Sequence, residues 1–203
     1  MAKRRKVGNL LALAVLAILV ERPMHPYEIA QLLRERGKDS SIKIQWGSLY
    51  TVVQNLEKHG FVGAAGTARA GRRPERTVYA ITPAGRDELD DWLRELVGVP
   101  QQEFTAFEAA LSVFGILPPD EAIALLVKRA DTIEAQVAAG REGLREVMAT
   151  VPRLFLIETE YKLAIAQAEA DWVRSLVTEL VEGTMPDLHL WHEFHAQQRK
   201  EGR

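Results

Sequence analysis

A chain of 203 residues with 47% hydrophobic and 27% charged side chains is long enough for one ordinary domain or two small ones, and its composition is globular rather than disordered. It contains no cysteine, which excludes a disulfide framework, a thiolate zinc site, an iron–sulfur cluster and a cysteine nucleophile. The formal net charge of −2 argues, taken whole, against a nucleic-acid partner.

That total hides a polarity. Residues 1–80 carry 14 Lys/Arg against 6 Asp/Glu, and residues 98–203 carry 10 against 17, so a basic first part is joined to an acidic remainder. Lys3, Arg4, Arg5 and Lys6 form a basic arm ahead of Val7–Val20, a run apolar but for Gly8 and Asn9. The arm is either solvated or reaches toward phosphate. The run is too short to span a bilayer, which takes about 20 residues. A charged segment before an apolar one resembles a signal peptide and would suit an exported helical adaptor. The run, however, ends at Glu21-Arg22-Pro23 without a small-residue cleavage region, which favours the buried first helix of a bundle.

Pro26-Tyr27-Glu28-Ile29 opens a second helix with Pro26 at its first position, and Ile29, Leu32 and Leu33 share one face. Gly37 to Ser40 ends it. A third helix runs from Gly47-Ser48 to His59-Gly60, with Leu49, Val52, Val53 and Leu56 on one face. The period then changes: Phe61-Val62-Gly63 and Thr77 to Ile81 read as short strands around a Gly- and Arg-rich loop, Thr67 to Glu75. Two strands alone are marginal in water, so the hairpin must lean on the helices before it. Thr82 caps a further helix with Pro83 at its first position and a stripe of Leu89, Leu93 and Leu96. Three helices followed by a hairpin is the order of a winged helix.

Gly98-Val99-Pro100 is the expected domain boundary, and the chain beyond it is helical. Phe104, Phe107, Leu111 and Phe114 mark one helix, ended by Pro118-Pro119. Asp120 to Met148 carries a heptad, with Ile123, Ala130, Val137 and Leu144 at one core position and Leu126, Ile133, Gly140 and Val147 at the other. Gly140 and Gly143 weaken it locally. Past Val151-Pro152, a last long helix reaches about Glu182 with Leu154, Ile157, Tyr161, Ala164, Ala168, Trp172 and Leu176 on its face. Two such helices close on each other or on a second copy. Expected dimer contacts are Ile123, Leu126, Ala130, Ile133, Val137, Leu144, Trp172 and Leu176.

The assembled blocks resemble the PadR-type winged helix-turn-helix regulators. They are Pro26-Tyr27-Glu28-Ile29, Gly47-Ser48-Leu49-Tyr50, Leu56-Glu57-Lys58-His59-Gly60-Phe61-Val62, Gly71-Arg72-Arg73-Pro74 and Tyr79-Ala80-Ile81-Thr82-Pro83-Ala84-Gly85. Thr51 departs from the family pattern, which has proline there. The resemblance implies a mainly α fold: an N-terminal winged helix-turn-helix of three helices and a two-stranded wing, then a helical dimerisation domain with long coiled-coil-like helices. The expected organisation is a DNA-binding domain over residues 1–97 (residues 1–6 being the basic arm), a dimerisation and ligand-sensing domain over 98–183, and a tail over 184–203. The implied function is that of a cytoplasmic homodimeric repressor on a pseudo-palindromic operator in double-stranded DNA, with no membrane association. Catalytic residues, a metal and a cofactor are not expected.

Within that reading, the start of the third helix enters the major groove. Gln45, Trp46, Ser48, Thr51 and Gln54 are the candidate base contacts, since Gln can pair bidentately with adenine and Thr can reach a thymine methyl. Tyr27 and Tyr50 are candidate phosphate contacts, and Arg69, Arg72, Arg73 and Arg76 in the wing suit backbone or minor groove. The resemblance also implies a small aromatic or phenolic inducer, for which Phe104, Phe107, Phe114, Tyr161 and Trp172 are candidate lining residues. The alternative is a metal-binding enzyme or sensor built on His189, His192, Glu193 and His195. Those residue types suit a transition metal at helical spacing, whereas Trp191 and Phe194 among them suggest that the segment docks on something instead.

Overall fold

The apolar run becomes α1 (Leu10–Leu19), capped by Asn9, whose side chain accepts from the Leu11 amide at 2.9 Å. Seven of its ten residues are buried. Helix α1 packs against α2 (Pro26–Glu35), α3 (Leu49–Lys58), α4 (Pro83–Gly98) and the hairpin, which explains why it is apolar all round while α2 and α3 are one-sided. The structure, a computed structural model, describes residues 5–42, 44–68 and 76–201. The chain divides into two units, Met1–Gln102 and Glu103–Arg203, the break falling past the Gly98-Val99-Pro100 step.

In the first unit the core gathers Leu11, Val15, Leu16, Ile29, Leu33, Leu49, Val53, Leu56, Leu89 and Trp92. The wing consists of β1 (Val62–Ala68) and β2 (Arg76–Ile81), antiparallel, with Val62 opposite Ile81 and Ala64 opposite Tyr79. The register shifts between Ala64 and Gly66, where Gly66 takes a φ of 137° that favours glycine. The hairpin does lean on the helices. Met24, just before α2, exchanges both backbone hydrogen bonds with Tyr79, at 2.9 and 3.0 Å.

The Thr82-Pro83-Ala84-Gly85 block is a joint. The Thr82 hydroxyl accepts from the Gly85 amide at 3.0 Å and donates to the Gly60 carbonyl at 2.6 Å, while the Thr82 amide donates to the Phe61 carbonyl at 3.0 Å. A Cβ at Gly85 would stand 2.0 Å from that Phe61 oxygen. Only glycine lets α4 start this close to the strand.

The second unit comprises α5 (Ala106–Leu111), a 3₁₀ turn at Phe114–Ile116, α6 (Pro119–Met148), a second turn at Arg153–Phe155, α7 (Ile157–Glu182) and α8 (Leu188–Glu201). Helix α7 folds back on α6. Leu126 and Ala130 pack with Val173 and Leu180, and Gly140 lies where a Cβ would be 2.6 Å from Leu163 Cδ2. Arg129 pairs with Glu169, and Arg174 pairs with Glu134 and Asp131. Helix α7 ends at Gly183, in the left-handed region at φ 69°.

One expectation gives way at this point. Leu126, Ala130 and Val137 are buried inside the chain, because the heptad face closes on α7; they offer no surface to a second copy. The tail after Gly183 carries α8. Trp191 Nε1 donates to the carbonyls of Gly115 and Leu117, both at 3.0 Å, and its ring meets Phe114 at 5.3 Å between centroids.

Candidate nucleic-acid interface

Helix α3 buries Leu49, Val52, Val53 and Leu56. With its apolar face against α1 and α2, Tyr50, Thr51, Gln54, Asn55 and Lys58 are left exposed on the outer side. A 3₁₀ turn, Trp46–Ser48, leads into it, and the Ser48 hydroxyl donates to the Gln45 carbonyl at 2.8 Å, holding the turn. Gln45 is exposed and Ser48 half-buried. Trp46 packs on the core. Its ring carries the Arg34 guanidinium, whose carbon lies 3.9 Å from the ring centroid.

The start of α2 is built around His25. Its Nδ1 accepts from the Tyr27 amide at 3.1 Å, while the Glu28 carboxylate accepts from the His25 amide at 2.9 Å, so two otherwise orphaned donors are satisfied reciprocally. The His25 ring meets Tyr50 edge-on at 6.1 Å, which ties the start of α2 to the outer face of α3. Tyr27 is 57% exposed and Tyr50 52%. A cleft of about 220 Å³ lies between the start of α2, the Tyr50 and Gln54 side of α3, and β2. Tyr79 borders it; burial pushes its phenol pKa up, and the Glu57 carboxylate beside it acts in the same direction.

The structure thus brings Tyr50 and Gln54 together at one cleft, with Tyr27 on the first turn of the adjoining α2. Thr51 is exposed on the same helix as Tyr50, and Gln45 and Ser48 lie at its start. Arg69, Arg72 and Arg73 lie outside the described residues, as do Lys3 and Arg4. Arg76 is described by its backbone alone, at the start of β2. The basic arm is corrected at Arg5, whose side chain is 4% exposed. It is pinned to α4 by Glu88 at 2.8 Å, Asp91 at 3.4 Å and Glu95 at 2.5 Å, and its guanidinium lies 5.3 Å from the Trp92 ring centroid. Those acidic groups, on one face of α4, take the charge that the sequence offered to phosphate.

Sequence reasoning missed His25 and Arg34. Histidine followed three residues later by glutamate is a capping-box pattern with an unusual cap residue, so His25 was findable. Nothing local marks Arg34, because its partner Trp46 comes a full loop later.

The aromatic residues of the second unit do not form one pocket. Phe107 meets Trp172 edge-on at 6.3 Å, and Arg129 lies over the Phe107 ring at 3.7 Å. Phe114 turns to Trp191 instead. Phe104 is 83% exposed and Tyr161 69%, and neither has a ring neighbour among the described residues. Of the remaining predicted dimer contacts, Ile123, Ile133, Leu144 and Leu176 are half-buried and Trp172 is 49% exposed. The histidine cluster comes apart. His195 is 7% exposed, with a ring nitrogen 3.0 Å from the Gly115 carbonyl, so that ring is committed to holding α8. Among the described residues no three His, Cys, Asp or Glu side chains are gathered as metal ligands. No helix among the described residues is long and apolar enough to cross a membrane.

Residues 15–91 match the transcriptional regulator PadR-like family. A probable transcriptional regulator of Mycobacterium tuberculosis is 34% identical over 86 residues, 40% of this chain and 42% of that protein, so the match spans less than half the length of the curated relative. Bacillus subtilis PadR in complex with operator DNA is similar with a TM-score of 0.68 at 20% identity, over 85% of this chain and 99% of the other. The same protein in complex with p-coumaric acid gives 0.67 at 20% identity over the same shares. The likeness to these structures establishes the winged-helix fold.

Proposed function

We propose that this chain, whose residues 15–91 are a PadR-like transcriptional-regulator domain, is a sequence-specific DNA-binding repressor acting in the cytoplasm, with α3 as its recognition helix. The observation that carries the reading is the division of α3: its four apolar residues are buried while Tyr50, Thr51 and Gln54 face outward beside the capped start of α2. Gln54 and Thr51 have the donor, acceptor and methyl groups that read base edges in the major groove. Tyr27 and Tyr50, both more than half exposed, offer hydroxyls to a phosphate backbone, and the wing arginines extend the contact. A structure of similar fold, Bacillus subtilis PadR, is a complex with operator DNA, which supports DNA as the partner.

The active form is a homodimer on a pseudo-palindrome. Its support is the apolar surface left on the outside of the second unit: Leu154, Phe155, Ile157, Tyr161 and Ile165 are each more than half exposed, the last three at i, i+4 and i+8 along α7. Such a stripe is a natural seat for a second copy. An aromatic inducer releases the protein from DNA, and Phe107, Trp172 and the Arg129 cation over the Phe107 ring have the chemistry for an aromatic anion.

Selection of duplexes from random DNA with the purified full chain tests the reading; failure to enrich any sequence refutes it. Arg72→Ala is expected to weaken binding to all sequences and to lower the slope of log affinity against log salt by about one. Thr51→Ala is expected instead to change which sequences are preferred. Unchanged affinity and slope in Arg72→Ala would remove the wing from the interface.

A further inference from the structure

Two arginines end α2, and they are used differently. Arg36, just past its last residue, is taken by Glu21, whose carboxylate accepts from both terminal guanidinium nitrogens. Arg34 meets no carboxylate among the described residues. Its guanidinium rests instead on the Trp46 indole, with the central carbon 3.9 Å from the ring centroid.

That distance sets the guanidinium over the face of the indole. The ring contact restrains the cation, and Arg34 remains exposed to solvent. The platform is itself fixed, because Trp46 packs on the core and belongs to the turn that opens α3. Glu35 next to it turns to Gln31, whose amide donates to its carboxylate at 2.8 Å. Along α2, Arg34 falls on the same exposed strip as Tyr27 and Gln31, at i, i+4 and i+7. An unpaired, pre-oriented guanidinium fork matches the paired oxygens of a phosphodiester.

We infer that Arg34, carried on the Trp46 ring, is a contact for the phosphate backbone of DNA beside the recognition helix. The inference rests on α3 being that helix. The Trp46 indole then has a supporting part in the interface: it positions a cation instead of reading a base.

The test measures binding of the full chain to a labelled random-sequence duplex between about 50 and 200 mM salt. Loss of one phosphate contact lowers the salt slope by about 0.9, equivalent to roughly eightfold weaker binding at 0.1 M relative to a 1 M reference. Arg34→Ala is expected to show that change with an unaltered melting temperature. Arg34→Lys, which keeps the charge, should restore most of the slope. A wild-type slope in Arg34→Ala overturns the inference, whether or not affinity falls through lost stability. A changed sequence preference at constant slope overturns it too, since that would be base readout. If the wild-type chain binds no duplex at all, the recognition-helix reading itself fails, an outcome distinct from either of these.

Discussion

Replacing Gly85 by alanine adds one methyl group where, of the described glycines in the first unit, a Cβ would meet another backbone most closely. The new Cβ would lie 2.0 Å from the Phe61 carbonyl oxygen, 2.9 Å from its carbon and 2.9 Å from Ile81 Cγ1. The oxygen cannot simply swing aside, because it accepts from the Thr82 amide at 3.0 Å. Breaking that bond and leaving the carbonyl unsatisfied costs about 3 kcal/mol. Moving α4 outward instead opens the core at Leu89 and Trp92, which are 5% and 4% exposed. Either route gives a loss of about 3 kcal/mol. With a urea dependence of about 1–3 kcal/mol per molar, the unfolding midpoint falls by at least about 1 M. Tryptophan fluorescence and far-ultraviolet circular dichroism in urea would measure it. Gly98→Ala, at the end of the same helix with nothing within 4 Å of its Cβ, is the control and should not lose stability. A Gly85→Ala midpoint shifted by less than about a third of that 1 M would refute the claim that close approach, and not chain flexibility, requires this glycine.

Two further outcomes are expected. Gly143 in α6 has open space at its Cβ, so Gly143→Ala should gain up to about 1 kcal/mol in helix propensity; Gly140→Ala should gain less, because it must displace the Leu163 side chain, and equal thermal shifts would contradict this. Hydrogen bonding from Arg174 holds the Glu134 carboxyl below the usual carboxylate range, as Arg153 does for Glu160 and Arg36 for Glu21. Carboxyls depressed in the folded state add stability above the ordinary range and lose it as pH falls through their folded values. Arg174→Gln should therefore flatten the acid limb of the stability profile, and an unchanged limb in urea titrations at successive pH values would count against the pairing.

How far the sequence speaks depends on the range of each interaction. The faces of α2 and α3 are legible because a buried stripe repeats every three or four residues whatever it packs against. The heptad of α6 is equally clear, yet its partner is not: Leu126, Ala130 and Val137 present the same pattern to α7 of the same chain as to another copy. Arg5 has the sequence neighbours of a basic arm, while its true environment comes from α4, through Glu88, Asp91 and Glu95. His189, His192, Glu193 and His195 have metal-like spacing, but the Gly115 carbonyl that engages His195 is 80 residues away. The outward set on α3 is foreseeable from its inward set, whereas the Arg34–Trp46 stack depends on how the intervening loop folds back.

The pair of hydrogen bonds between Met24 and Tyr79 bears on the order in which the first unit assembles. An isolated two-stranded hairpin is marginal, and this one takes an extra pairing from a residue far earlier in the chain. Its ladder is complete only once Met24, between α1 and α2, has closed on it, which is a non-local closure and not a local turn. A nascent chain released before α1 docks would carry α3 without a supported wing, and native-state hydrogen exchange should find the Tyr79 amide protected only as well as the α1–α2 junction itself.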